Sequence, residues 1–399
     1  MSAEQTTHVG IEMRVMAGPM TGIGNYSFHI MKALLRGDTN LRFSGFDLTS
    51  WRSLDHQALD RMAASKELAR ATKSASGGLA GLKKLAVQGL RQSKLAPALY
   101  RAQFARTVKR QSFDLFHAFN FLPFSDPGVV TLPVVYDLSF IRYPQSHPAE
   151  RLRRLEQLPR VLESTPLVHT ISEFSRREIS ELLSYPSERI FVAPPAASEI
   201  FQPRGREHTQ AELKMMGIEG DYYLAVGTLE PRKNLRTLIT AFGRLSKAER
   251  MDAPLVIAGG GGWGSLELPP ETEMMRAEGS LIFVGGVSNA GLRSLYEGAR
   301  ALMFPSIYEG FGMPVVEAMA CGTTAVHSSG TSMDEITAGM TMTVPALDVD
   351  AWTEAFRATA LDTGPVHDAS MTLQRQAAHF NWDHSAELVR NAYGQMKNS

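Results

Sequence analysis

The stretch Pro305-Ser306-Ile307-Tyr308-Glu309-Gly310-Phe311-Gly312-Met313-Pro314-Val315-Val316-Glu317-Ala318-Met319-Ala320-Cys321-Gly322 holds the densest chemical signal in the chain. The apolar run before it, Ala301–Phe304, reads as a short buried strand that ends at Pro305-Ser306. Pro314–Ala320 reads as the start of a helix, with proline at its first position, where the missing N–H costs nothing. Strand, glycine-bearing loop and helix make the repeating unit of a parallel sheet covered by helices. Two carboxylates, Glu309 and Glu317, have seven residues between them, the first in the loop and the second one turn into the helix. The glycines let backbone approach a ligand closely. The free N–H groups from Gly312 onward, with the helix dipole, suit an anion such as a diphosphate. Carboxylates beside it can accept hydrogen bonds from sugar and ribose hydroxyls. The alternative is a glycine-rich turn with a helix cap.

Working outward, the same unit recurs. Tyr222–Val226 reads as a strand, Gly227-Thr228-Leu229-Glu230-Pro231-Arg232-Lys233 as a loop, and Leu235–Leu245 as a helix capped by Asn234. Arg232 and Lys233 stand where the helix begins, and cations there oppose the dipole. A bound diphosphate would compensate them; two solvated surface bases are the alternative. Leu255–Ala258 ends in Gly259–Gly262, Leu281–Val284 precedes Gly285-Gly286, Ala290–Ala299 is helical, and Thr324–His327 and Met342–Val344 are further strands. In the first half, Glu12–Ala17 reads as a strand before Gly18-Pro19 and the glycine loop Gly22-Ile23-Gly24, followed by a helix from Tyr26 to Leu35. Asp114–Ala118, Leu132–Tyr136 and Leu167–Ile171 are strand candidates, and Ser172 N-caps a helix through Leu183. The turn-rich segment from Ala193 to Gly205 is the linker. The expected fold class is α/β, with two Rossmann-like doubly wound domains facing one cleft.

The chain has 399 residues, which at roughly 150 per domain allows two or three domains. Hydrophobic residues make up 44% and charged residues 21%, so a disordered chain is excluded. With 41 basic and 41 acidic residues, there is no net field to draw in nucleic acid. The neutrality hides an asymmetry. In the basic segment 66–110, Glu67 is the only acid, and Leu79, Leu82, Leu85, Leu90 and Leu95 are interleaved with the bases. Such a stretch suits peripheral contact with an anionic membrane or acceptor, or else a solvated helical face. Met1–Gly10 lacks a signal-peptide run, no window is apolar enough to span a bilayer, and Cys321 is the only cysteine. The expected location is the cytoplasm, with the inner face of the membrane open to it.

Together these motifs make the chain resemble the family 4 retaining glycosyltransferases, which have the two-domain GT-B fold. The resemblance rests on Gly227–Asn234, the Glu309–Glu317 pair, Gly285-Gly286-Val287 with Leu295-Tyr296, Gly22–Tyr26 and Ser172–Ser175, and covers nearly the whole chain. It implies that residues 1–199 form an acceptor domain, 200–381 a nucleotide-sugar domain, and 382–399 a helix crossing back onto the first. It implies that Lys233 and Arg232 neutralise the donor diphosphate, that Glu317 binds the ribose hydroxyls and that Glu309 faces the transferred sugar. Backbone N–H groups of Phe311, Gly312 and Met313 would touch sugar hydroxyls and phosphate. Thr228 would line the donor site, and Gly286 and Val287 would meet the nucleobase. Gly22 and Gly24 would let the first domain close over the diphosphate. The Glu-Pro-Arg-Lys-Asn version of the motif resembles bacterial mannosyltransferases of surface polysaccharides, so the expected donor is GDP-mannose, with UDP- and TDP-sugars open. The expected acceptor is a glycan or polyprenyl-linked glycan, with no metal or other cofactor and no nucleic acid. Two departures stand out. Tyr136-Asp137 replaces the usual histidine–aspartate pair near the sugar, leaving Asp137 as a candidate for orienting substrate. Thr324 stands where relatives have proline.

Other readings are weaker. Gly22-Ile23-Gly24 lacks the third glycine of a dinucleotide fingerprint, since position 27 is Ser27. Asp348-Val349-Asp350 looks like a metal-binding Asp-x-Asp, but Asp350 reads better as the N-cap of a helix Ala351–Ala360. No zinc spacing and no hydrolase triad is present. A GT-B epimerase or an idle nucleotide-sugar-binding protein would share the fold; the first would change a sugar without an acceptor, the second would give no product.

Overall fold

The computed structural model describes residues 6–17, 22–37, 40–47, 49–71, 96–260, 268–361 and 366–397. Strands β1 (Thr7–Glu12), β2 (Leu41–Phe46), β3 (Trp51–Ser53), β4 (Leu115–Ala118) and β5 (Thr131–Pro133) form a sheet in the order β3-β2-β1-β4-β5. It is parallel except for the β2–β3 pair. The pair β6 (Val168–Thr170) and β7 (Ile190–Val192) continues it through a parallel bridge between Val134 and His169.

The second sheet is parallel throughout. It contains β8 (Tyr223–Val226), β9 (Leu255–Ala258), β10 (Leu281–Gly285), β11 (Ala301–Phe304), β12 (Ala325–Ser328) and β13 (Met342–Val344), in the order β10-β9-β8-β11-β12-β13. The chain runs outward from β8 to β10, then returns to the other side of β8 with β11. That reversal opens a crevice beyond the C-terminal ends of β8 and β11, where doubly wound sheets bind ligands. The central strands form because Tyr-Leu-Ala-Val, Leu-Val-Ile-Ala and Ala-Leu-Met-Phe are short continuous apolar runs, as strands buried on both faces require. Each buried Leu, Ile, Val or Phe there contributes about 1.5–3 kcal/mol.

The last helix, Trp382–Lys397, returns to the first sheet. Trp382 stacks on His29 with ring centroids 5.2 Å apart, Arg390 donates to the Ala33 carbonyl at 3.1 Å, and Ser385 donates to that of Pro194 at 2.6 Å. Beneath it lies a fully buried polar chain with one consistent direction. Tyr26 donates to the Ala193 carbonyl, so its oxygen accepts from His169 Nε2 at 2.7 Å. His169 Nδ1 then accepts from His117 Nε2 at 3.1 Å, and His117 Nδ1 accepts from the Tyr393 hydroxyl at 2.7 Å. Both imidazoles are thereby neutral, and burial holds His169 down at about 3.

Several expectations need correction. The strand expected at Glu12–Ala17 is β1, five residues earlier, and Arg14–Ala17 is a turn of helix. Gly22 and Gly24 lie in the first turn of the helix Gly22–Arg36, not in a loop before it. Met313 precedes Pro314 as the first residue of its helix. The cap of the helix Val349–Leu361 is Asp348, whose carboxylate accepts from Ala351 N at 3.0 Å; Asp350 instead pairs with Arg244. Gly18-Pro19, Gly261-Gly262 and the interleaved stretch 72–95 of the basic segment fall outside the described residues. At its C-terminal end, the helix Ala96–Val108 tucks Phe104 and Val108 among Phe46, Phe113 and Phe116. No described helix is long and apolar enough to cross a membrane.

Candidate active site

The loops after β8 and β11 meet at the crevice. A short turn over Pro231–Lys233 presents both cations, and Ile307 N donates to the Arg232 carbonyl at 2.9 Å, tying the two loops together. Asn234 does not cap the next helix with its side chain as expected. It adopts a left-handed conformation, and its amide donates across to the carbonyls of Pro305 and Ala346 at 3.1 and 2.6 Å. The sequence signal for a cap was real, but the side chain is used as a brace between loops.

Glu309 sits at the centre. Its Oε1 lies 2.6 Å from Lys233 Nζ and 3.2 Å from an Arg232 nitrogen. Arg232 also donates to the Tyr308 carbonyl and, at 3.2 Å, to the buried Glu230 carboxylate. Lys233 Nζ is 5.0 Å from the centre of the Phe304 ring. Burial alone would raise the Glu309 carboxyl, but the charges of Arg232 and Lys233 and the hydrogen bond from Lys233 outweigh it and hold it at about 2. Burial opposes the Arg232 charge, yet Glu309, Asp137 and Glu230 together raise its pKa above the ordinary value. Arg232 therefore stays charged in a half-dry setting, where its pull on an anion is stronger than in water.

The helix Met313–Ala320 opens beside them. Gly312 precedes it at φ +105° without a side-chain cap, and its first N–H groups have no partner within the helix. Gly312 is also required sterically, because a Cβ would lie 2.8 Å from Met333 Cγ. Phe311 is buried. Glu317 follows one turn in, its carboxylate accepting from the Tyr296 hydroxyl at 2.9 Å, and desolvation pushes it up to about 7. Gly285 is left-handed at φ +68°, so Gly286-Val287 turns away at the end of β10, ahead of a helix capped by Ser288. Thr228 is exposed in the loop after β8, and Gly22 is exposed on the first half of the chain.

The first half reaches this loop directly. Ser172 Oγ donates to the Gly310 carbonyl at 2.6 Å while accepting from Ser175 N. Ser332, from the second half, donates to the Glu309 and Phe311 carbonyls at 2.9 and 2.7 Å. Leu138 N donates to the Tyr308 hydroxyl, and Glu335 accepts from Glu173 N and Phe174 N at 3.0 and 2.7 Å. Gly310 lies so close to the first half that a Cβ would meet the Tyr136 carbonyl at 2.4 Å. These clamps were missed from sequence, where Ser172 was read as a cap and Ser172–Ser175 as part of the family resemblance, with no bond to the second half assigned.

Tyr136 turns inward. Its hydroxyl donates to the Phe119 carbonyl at 2.9 Å, so it does not face the crevice. Asp137 does lie on this side, accepting from Ser139 N and Oγ at 2.9 and 2.5 Å. Ser139 Oγ in turn accepts from His147 Nε2 at 3.0 Å, which makes the buried His147 Nδ1 a lone-pair acceptor with no partner in the fold. No sequence pattern singled out His147 beyond its neighbour Pro148. Among the described residues no group of acids, histidines or cysteines is arranged to hold a metal.

Comparison with known proteins fits this geometry. Residues 217–364 match the family described as glycosyl transferases group 1. The chain is 32% identical over 385 residues to O-antigen chain mannosyltransferase B of Escherichia coli, covering 94% of this chain and 96% of that one. Among solved structures, the sucrose-phosphate synthase of Thermosynechococcus elongatus superposes with a TM-score of 0.67 at 16% identity, covering 98% of this chain and 99% of that one. Anabaena HepE, in complex with UDP-glucose, gives 0.68 at 14% identity, covering 97% of this chain and 99% of that one. At these identities the structural likeness shows the fold.

Proposed function

The chain belongs to the group 1 glycosyltransferases and has their GT-B fold, and on that premise we propose that it transfers mannose from GDP-mannose, with retained anomeric configuration, to a glycan hydroxyl of a growing O-antigen-type polysaccharide. The observation that supports this best is the Arg232–Lys233–Glu309 cluster at the crevice, beside an uncapped helix N-terminus. The choice of mannose is supported by the Escherichia coli relative.

In this reading the donor diphosphate displaces Glu309 from the two cations. Arg232, Lys233 and the N–H groups of Gly312 and Met313 then stabilise the charge that grows on the leaving diphosphate as the glycosidic bond breaks. Glu309, released, faces the sugar, and Glu317 takes the ribose hydroxyls. Asp137 and the lone pair of His147 Nδ1 orient hydroxyls from the first domain. With no carboxylate assigned as a covalent nucleophile, the acceptor attacks on the face the diphosphate leaves, and the diphosphate takes its proton.

A thermal-shift screen of nucleotide sugars, followed by NMR of the product anomer, tests the reading. Stabilisation by GDP-mannose and an α-linked product are expected. Selective stabilisation by a UDP- or TDP-sugar, or a β-linked product, would overturn it.

A further inference from the structure

The first sheet has its own reversal point, between β1 and β4, and a basic cluster stands at its C-terminal edge. Three guanidinium groups grip the loop that follows β4. Arg14 lies over the Phe124 ring at 5.7 Å, Arg151 over the Phe121 ring at 5.8 Å, and Arg154 donates to the carbonyls of Asn120 and Leu122 at 2.9 and 2.6 Å. Phe121 is held at φ +63°, an unusual conformation for an aromatic residue. The nearby acid, Glu12 at the end of β1, is buried, and one of its oxygens is taken by Phe124 N at 2.6 Å. Among the described residues no ion pair satisfies Arg14, Arg101, Arg151 or Arg154, although Arg14, Arg101 and Arg151 each lie within electrostatic reach of Arg154. Like charges gathered around a single carboxylate repel, unless an anion with more than one charge joins them. Arginine forks match the oxygens of phosphate.

We infer that Arg14, Arg151 and Arg154, around the loop after β4, form a phosphate site in the first domain that holds the diphosphate of a prenyl-linked acceptor. The inference rests on the glycosyl-transfer reading, and it separates two anion sites: the donor diphosphate on the second domain and the acceptor diphosphate on the first. Arg154 is fixed by two carbonyls and orients the loop, whereas Arg14 is exposed and Arg151 half-buried, so both can reach a ligand.

The test measures binding of farnesyl diphosphate, GDP and phosphatidylglycerol vesicles to the full chain, with farnesol as the uncharged control. Arg14→Gln/Arg151→Gln is expected to weaken farnesyl diphosphate at least tenfold and to leave GDP unchanged, the latter reporting an intact fold. Lys233→Ala is expected to do the reverse, and farnesol is expected not to bind. If the double variant fails to fold, Arg151→Gln alone carries the comparison. Unchanged farnesyl diphosphate binding in the arginine variants, or a loss confined to the vesicles, overturns the proposal. A GDP affinity indifferent to Lys233→Ala would count against the donor site instead and leave the arginine comparison to stand by itself.

Discussion

Lys233 Nζ and Glu309 Oε1 lie 2.6 Å apart, joining the loop after β8 to the loop after β11 at the reversal point of the second sheet. The carboxylate occupies the charge position in which the proposed mechanism places the diphosphate. Glu309→Gln removes the counter-charge while keeping the shape. It is expected to tighten binding of free GDP severalfold and to lower kcat by about 10²-fold, because the same carboxylate is then missing from the sugar. Parallel calorimetry and initial-rate measurements check both signs.

Gly310→Ala is expected to leave the second domain folded and to cut turnover more than tenfold. Its Cβ would press on the Tyr136 carbonyl at 2.4 Å and Asp137 Cβ at 2.8 Å, and backbone cannot yield as a side chain can. The two halves would have to part at the site. Circular dichroism should match the wild type while the rate falls.

The clamp on the same loop predicts a milder effect. Ser172→Ala removes both the bond to the Gly310 carbonyl and an N-cap, at about 1–2 kcal/mol. A raised KM with a slightly lowered melting temperature is expected, and a change in stability with unchanged KM would separate the cap from the clamp.

Glu317 carries a pH signature. Its carboxyl is raised from 4.5 to about 7, so folding favours the protonated form. The associated stability is complete below about pH 4.5 and is lost as pH rises through 7, amounting to at most about 3 kcal/mol. Glu317→Gln, neutral at every pH, is therefore expected to raise the melting temperature at pH 8 relative to wild type and to change it little at pH 5. Differential scanning calorimetry at both values checks this.

The buried Tyr393–His117–His169–Tyr26 chain has the opposite sign. His169 is lowered from 6.5 to about 3, so the unfolded state binds protons first. Stability is full above about pH 6.5 and declines as pH falls toward 3. Tyr393→Phe leaves His117 Nδ1 without its donor and is expected to cost about 1–3 kcal/mol, loosening the last helix. Hydrogen exchange in residues 382–397 reads that loosening directly.

The second sheet was the most legible part of the sequence. Leu255–Ala258 and Ala301–Phe304 were placed to the residue, because strands buried in a parallel sheet are continuous apolar runs bounded by turn residues. β1 was misplaced because Thr-His-Val-Gly-Ile-Glu interrupts its apolar residues, whereas the richer run after it coils into a helical turn. β2, with Ser44 and Gly45 inside it, gave no such run. At the site, Glu309, Lys233 and Arg232 were legible because each lies in a strand-loop-helix unit. The clamps of Ser172, Ser332 and Glu335, and the Ser139–His147 pair, depend on contacts made only by folding, and no local spacing encodes them. Asn234 and Asp350 show the same limit from the other side, since tertiary partners took side chains that local rules assigned to caps.

Charge at the second-sheet crevice drives the proposed transfer, and turnover of GDP-mannose by Lys233→Ala, measured to donor saturation beside the wild type, tests it most directly. A drop in kcat/KM of about 10²-fold or more, with the melting profile preserved, is the predicted result. Near-normal turnover with a saturable donor would contradict the assignment of Lys233 to the diphosphate, and with it the proposed site.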